Sequence, residues 1–324
     1  MAEPLKATFF TLKHRDRAVL LPATLVMIFV VALIAAAWVA TNWGTLAQIF
    51  ELSRDPGAQT DETQSVRLLT GVMGIVGSAF LILFPLFIAL ASYEAACLRW
   101  MIRGEAPGLF GLTLDHDTWR VWGVYWCWLV AHMAVSFVTS IVMIPFMFMM
   151  VGEIAAQGPN PDPQLAWDLQ VKMQALSLIQ YIPLAFIGIR LGPAAATSIA
   201  RRRFSFFEAW TVTSDRFAAL LGSWALLWVL FGLVYAALFG VTYGVLVGDL
   251  VPQIVAAWPA FPAGAAEELT TRLFSQRGLT LIGAAYAGFF VIWIAYSLMA
   301  FGVNARAALA AMEEEKIKEE PPES

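Results

Sequence analysis

Six stretches of this chain stay apolar for about as long as a helix needs to cross a bilayer, roughly 20 residues at 1.5 Å each. They fall at residues 18–40, 68–98, 121–151, 173–199, 218–247 and 279–311. Lipid offers no partner for backbone N–H and C=O groups, so a lone crossing segment must satisfy them internally, as a helix does. The longer stretches must tilt, kink or protrude. Only 14% of the 324 residues are charged, against about 25% in soluble domains, and mean hydropathy is +0.70. The expected fold is an all-α integral membrane protein with six transmembrane helices. The first stretch exceeds the 7–15 apolar residues of a secretory signal, so it is expected to be retained. Around the membrane domain, 18–312, the sequence suggests a cytoplasmic interfacial arm at 1–17. Residues 313–324 read as a disordered acidic tail.

Lysine and arginine set the expected orientation. Lys6, Lys13, Arg15 and Arg17 precede the first helix; Arg99, Arg103 and Arg120 lie in the second connection. Arg201, Arg202, Arg203 and Arg216 lie in the fourth, and Arg306, Lys316 and Lys318 in the tail. The opposite side holds only Arg54, Arg67, Lys172, Arg272 and Arg277. Both termini are therefore expected in the cytoplasm of a bacterial cell, at the inner membrane. No basic stripe suits nucleic acid.

A weak internal repeat overlies the helices. Pro85 and Pro183 are 98 residues apart, as are Asp117 and Asp215. Phe9-Phe10-Thr11-Leu12, Leu109-Phe110-Gly111-Leu112 and Phe206-Phe207-Glu208-Ala209-Trp210 each lead to an aspartate before a helix. Each reads as a short amphipathic segment at the cytoplasmic interface. Phe204, Phe207 and Trp210 form a stripe at i, i+3 and i+6, and Asp16, Asp117 and Asp215 are candidate helix caps. The expected architecture is three parallel two-helix repeats.

Ionisable groups inside apolar stretches are the candidate sites, because each is costly unless paired or hydrated. Arg190 is the most informative. It is deep if the fourth helix continues, but interfacial if Gly192-Pro193 ends that helix, since proline removes a donor and crowds the preceding turn. At the interface it suits a lipid phosphate, as do Arg201, Arg202 and Arg203. Glu94 suits a cation or a local arginine, and His132 a proton relay, a headgroup or a neighbouring helix. Gly240, Gly244 and Gly248 form a doubled G-x-x-x-G for packing within the chain or between copies. Asp115-His116-Asp117 resembles a metal cluster only superficially, and His14, His116 and His132 are far apart. Cys97 and Cys127 read as packing residues. No metal, cofactor or catalytic motif is expected.

Arg190-Leu191-Gly192-Pro193, Phe204 to Trp210 and Thr213-Ser214-Asp215-Arg216-Phe217 resemble the multi-pass membrane region of bacterial glycerophosphoryl diester phosphodiesterases. Tyr93-Glu94-Ala95-Ala96, Leu98-Arg99-Trp100 and Leu112 to Trp119 resemble related uncharacterised alphaproteobacterial six-helix proteins. In the phosphodiesterases, catalysis belongs to a separate soluble barrel, for which this chain has no room. The resemblance implies a membrane region without that activity. The leading expectation is a non-catalytic protein binding lipid or a partner membrane protein. A small transporter or channel hinged at Pro85, Pro145 and Pro183 is the alternative, and an intramembrane lipid-modifying enzyme the next.

Overall fold

A computed structural model describes residues 4–14, 17–54, 62–156, 181–257 and 265–319, with isolated positions between 169 and 178. The described residues are helical almost throughout, and the one β-bridge joins Leu109 to Leu112. In chain order the helices are α1 (Pro4–Thr8), α2 (Phe10–His14), α3 (Arg17–Arg54), α4 (Glu62–Arg103) and α5 (His116–Ala156). There follow α6 (Tyr181–Leu191), α7 (Ala194–Ala200), α8 (Glu208–Ser214), α9 (Phe217–Val247), α10 (Val251–Ala257), α11 (Ala265–Leu273) and α12 (Gln276–Glu319). Six stretches are long and apolar enough to cross a membrane: Leu20–Ile49, Val66–Arg103, His116–Glu153, Tyr181–Ala200, Phe217–Val247 and Gln276–Glu315.

Several helices outrun the apolar stretch that nucleates them. At 42 residues α4 is roughly 63 Å long, about twice a hydrocarbon core. Arg99, counted above with the charges of a connection, therefore lies within α4 and is 1% exposed. The helix ends at Arg103 because Gly104 takes a left-handed φ of 71° while its N–H still reaches the Trp100 carbonyl. Pro85 and Pro145 sit inside α4 and α5 without ending them. The break comes at Gly192-Pro193, between α6 and α7. Helix α12 continues to Glu319, through the start of the acidic tail. Along α4, Leu69, Met73, Val76, Phe80 and Phe84 are all exposed, as are Leu25, Phe29 and Leu33 on α3. Apolar faces of this extent suit lipid rather than water.

The chain forms two compact units. The first comprises His14–Trp126 with Ser198–Phe204. Here α3 and α4 pack as an antiparallel hairpin, with Trp38 Nε1 donating to Ser78 Oγ at 3.2 Å and Thr24 bonded to Tyr93 at 2.8 Å. Ala91, Ala95 and Ala96 are buried on α4, and the following loop folds back onto them. Gly111 permits this approach: its φ is 87°, and a Cβ there would sit 3.3 Å from that of Ala96.

The second unit comprises Met1–Lys13, Cys127–Thr197 and Ser205–Ser324. Its core joins Ile189, Val212, Leu220, Leu227, Met299 and Val303, so α6, α8, α9 and α12 share one apolar centre. The amino-terminal arm docks on α12, where Thr11 Oγ1 donates to the Leu298 carbonyl at 2.8 Å. Gly302 makes room for it, since a Cβ there would collide with Thr11 Oγ1.

The three recurring segments differ in backbone. The first is helical in α1 and α2, whereas the second is a tight loop with Phe110 at φ 54°. In the third, α8 starts only at Glu208, so the expected Phe204–Phe207–Trp210 helical stripe does not form, although all three rings are exposed.

Candidate functional site

Two arginine-centred arrangements stand out, one in each unit. In the second unit, Arg190 is the penultimate residue of α6, where the helix dipole favours a cation. Its guanidinium carbon lies 5.7 Å from the Phe186 ring centroid, 5.2 Å from Trp210 and 4.8 Å from Phe217. Phe186 is one turn back on the same helix face, and the other rings come from α8 and α9. Thr213 fixes α8 against this helix end by donating to the Arg190 carbonyl at 3.0 Å. Sharing one cation, the rings together supply quadrupole attraction worth roughly 0.5–2 kcal/mol, but no hydrogen-bond acceptor lobe.

Arg190 Nε and Nη1 are enclosed and have no hydrogen-bond partner among the described residues. No carboxylate among the described residues pairs with this half-buried side chain, and Nη2 is its one nitrogen that is not enclosed. An arginine on an aromatic shelf without a counter-ion presents a planar donor to an incoming anion. The helix break after Leu191 agrees with the end that Gly192-Pro193 suggested.

The first unit treats its arginines in the opposite way. Arg99 Nη1 pairs with Asp115, and Nη2 donates to the Gly111 carbonyl and to Thr113 Oγ1, each at 2.8 Å. Asp117 takes Arg103 on one oxygen and Arg120 on the other at 2.6 Å, with Arg99 4.0 Å away. Arg103 Nη1 also donates to the Ile199 carbonyl at 3.3 Å. Its Nε lies 3.1 Å from Glu105, an ion pair by distance but too misaligned for a hydrogen bond. Arg202, with a left-handed φ of 54°, reaches the same glutamate at 3.1 Å.

Asp115 rather than Asp117 caps α5, accepting from the backbone N–H groups of Asp117 and Thr118 at 3.1 Å. Burial opposes its ionisation, but the Thr118 N–H, the Thr113 hydroxyl and Arg99 together hold the carboxyl below its ordinary value. Asp215 likewise does not cap its helix: α9 begins after Arg216 without a side-chain cap. Asp16 lies outside the described residues. Among the described residues no group of His, Cys, Asp and Glu is placed to hold a metal, and the Asp115–Asp117 carboxylates face arginines.

The remaining candidates occupy separate environments. Glu94 is buried in α4, and its partner is Tyr125, which donates to Oε2 at 2.6 Å, rather than an arginine. His132 is exposed on α5 and makes no hydrogen bond to a described residue. Arg201 is half-buried, and Arg202 and Arg203 are exposed. A Cβ at Gly240 or Gly244 would meet nothing within 4 Å, so this face of α9 is not used for packing among the described residues. Sequence reasoning missed Arg99, Thr113 and Asp115 as a set, and the shelf under Arg190. Only the Phe186–Arg190 spacing was readable in advance.

Comparison of the chain with protein-family models, with curated proteins and with solved structures finds no match. The resemblance described above therefore rests on its quoted residues alone.

Proposed function

We propose that this is a non-catalytic, multi-pass protein of a bacterial inner membrane, with both termini in the cytoplasm, that binds an anionic lipid headgroup at Arg190. The observation that carries this reading is the pairing of a confined guanidinium with the absence of any described counter-ion. A phosphate provides the missing acceptor without disturbing the aromatic shelf. The exposed apolar helix faces and the uneven lysine and arginine distribution support the membrane setting. Three parallel two-helix repeats, and kinship with the phosphodiesterase membrane regions, belong to the same proposal.

The test is extraction in a lipid-preserving medium, followed by mass spectrometry of what co-purifies. An anionic lipid enriched on the protein and lost with Arg190→Ala is the expected result. Equal lipid profiles for the two proteins would remove the basis for the reading. A partner membrane protein, recovered stoichiometrically in place of lipid, would redirect it to assembly.

One observation favours a second reading, a small transporter. Glu94 is a buried carboxyl inside an apolar span, and among the described residues Tyr125 is its one hydrogen-bond partner. Proton-coupled flux in proteoliposomes, abolished by Glu94→Gln, would support it; an ion-tight protein would not.

A further inference from the structure

The α4–α5 loop turns back along α4 rather than away from it. Two hydrogen bonds fix the register of α3 against α4: Trp38 to Ser78, and Thr24 to Tyr93. Six residues outward from each of Thr24 and Tyr93, residue 18, where the apolar stretch of α3 begins, stands about opposite Arg99. That stretch is about one hydrocarbon core long, so Arg99 marks the edge of the core on α4. Ser92 lies about two helical turns, roughly 10 Å, inside that edge. The loop reaches it: Ser92 Oγ donates to the Thr113 carbonyl at 3.3 Å, and Gly111 sits against Ala96. Leu112 and Leu114 also wall an apolar groove of about 410 Å³ with Val26 and Val30 of α3. Those valines alternate along α3 with Leu25, Phe29 and Leu33, which are exposed.

Non-helical backbone at that depth needs partners other than water, and the side chains it turns outward must be apolar. The carbonyls of Leu109, Gly111 and Thr113 each have a donor. These are the Leu112 N–H at 3.0 Å, Arg99 Nη2 at 2.8 Å, and Ser92 together with Thr118 Oγ1. Arg99, Ser92 and Thr118 are all buried, so the protein itself supplies these donors. Outward, Leu109, Phe110 and Leu114 are 61%, 45% and 66% exposed. Phe110 and Gly111 both take positive φ, 54° and 87°, as the centre of a type I′ turn does. Asparagine or glycine suits the first of these positions better than phenylalanine. A half-exposed ring there is costly in water and favourable among acyl chains. Glu105 precedes this apolar tip and Asp115 follows it.

We propose that residues 108–114 form a re-entrant turn whose Leu109, Phe110 and Leu114 side chains insert among the acyl chains of the cytoplasmic leaflet. Glu105 and Asp115 stay at headgroup level. Arg99 is the residue that lets non-helical backbone enter lipid, because it donates to the Gly111 carbonyl and holds Asp115. The inference rests on the membrane reading but not on the role of Arg190.

The test is spin labelling of the full chain in vesicles of phosphatidylcholine and phosphatidylglycerol. Cys97 and Cys127 are first replaced by alanine, and Leu114→Cys, Phe29→Cys and Ala106→Cys then carry a nitroxide one at a time. Collision with oxygen, which concentrates in hydrocarbon, is compared with collision with a water-soluble nickel chelate. The label at Leu114 is expected to match that at Phe29, open to oxygen and closed to nickel, whereas the label at Ala106 is open to nickel. Nickel access at Leu114 but not at Phe29 would overturn the re-entrant turn and leave the membrane reading standing. Nickel access at both would remove both. Should the cysteine-free background fail to fold, the unsubstituted protein is photolysed in the same vesicles with a phospholipid carrying a diazirine in its acyl chain. Adducts within 108–114 are expected, and adducts on α3 with none in that segment would overturn the proposal.

Discussion

Arg99 and Arg190 both sit near the carboxyl end of an apolar helix, α4 and α6, yet their surroundings are opposites. Around Arg99 the first unit gathers a carboxylate, a carbonyl and a hydroxyl, with a second carboxylate 4.0 Å away. Around Arg190 the second unit gathers three aromatic rings and, among the described residues, no carboxylate. A guanidinium with both terminal nitrogens paired is a structural device: removing it strands the buried Gly111 carbonyl and leaves Asp115 without its cation. The guanidinium held on ring faces keeps Nη2 in reserve, and its removal strands no partner among the described residues. The comparison teaches where to look for a ligand. The accessible donor without a counter-ion, rather than the densest charge cluster, is the better candidate.

The largest effect that breaks or upholds this contrast is on stability. Arg99→Met is expected to cost about 2–4 kcal/mol, because the buried Gly111 carbonyl loses its donor and the half-exposed Asp115 loses its cation. Arg190→Met is expected to cost less than about 2 kcal/mol, since cation–π attraction is lost but no ion pair to a described residue is broken. Equal losses in the melting of the purified protein would erase the distinction.

Next in size is Gly302→Ala. Its new methyl collides with Thr11, so overpacking of about 1–3 kcal/mol is expected, with faster proteolysis of the amino-terminal arm. An unchanged cleavage rate would mean that the arm is not held by this contact. Tyr125→Phe is expected to cost about 1–2 kcal/mol by leaving the Glu94 carboxyl without its donor. It belongs to the first unit and should leave Arg190-dependent binding untouched.

The smallest effect is on pH dependence. The Asp115 carboxyl is held below its ordinary value of 3.8, so its contribution to stability is present above that value. That contribution fades as pH falls through the lowered folded value, and Asp115→Asn should flatten acid melting below about pH 4. A variant with the parent's acid profile would assign the loss to other carboxylates.

Much of the fold was readable because crossing a bilayer demands a length of apolar chain that few other structures need. The helix ends were less readable. Arg99 looked like a connection residue because charge is a natural sign of a loop, but the apolar stretch continues as helix to Arg103, and neighbouring carboxylates pair with it. Aligning Asp117 with Asp215 as caps was attractive by spacing. The capping oxygen instead came from Asp115, two residues earlier, which frees Asp117 for Arg103 and Arg120. The Gly192-Pro193 break was legible from proline chemistry. The shelf was half legible: Phe186 stands one turn from Arg190, but Trp210 and Phe217 reach it only through tertiary packing.

The most direct test is the melting temperature of the protein with and without added phosphatidylglycerol, compared with Arg190→Met. A ligand that binds only the folded state raises the midpoint, by about 2.7 kcal/mol of stability at a hundredfold its dissociation constant. The expected result is a clear upward shift for the parent protein and none for Arg190→Met, whose midpoint without lipid stays close to the parent's. The same upward shift in both proteins would contradict a headgroup site at Arg190.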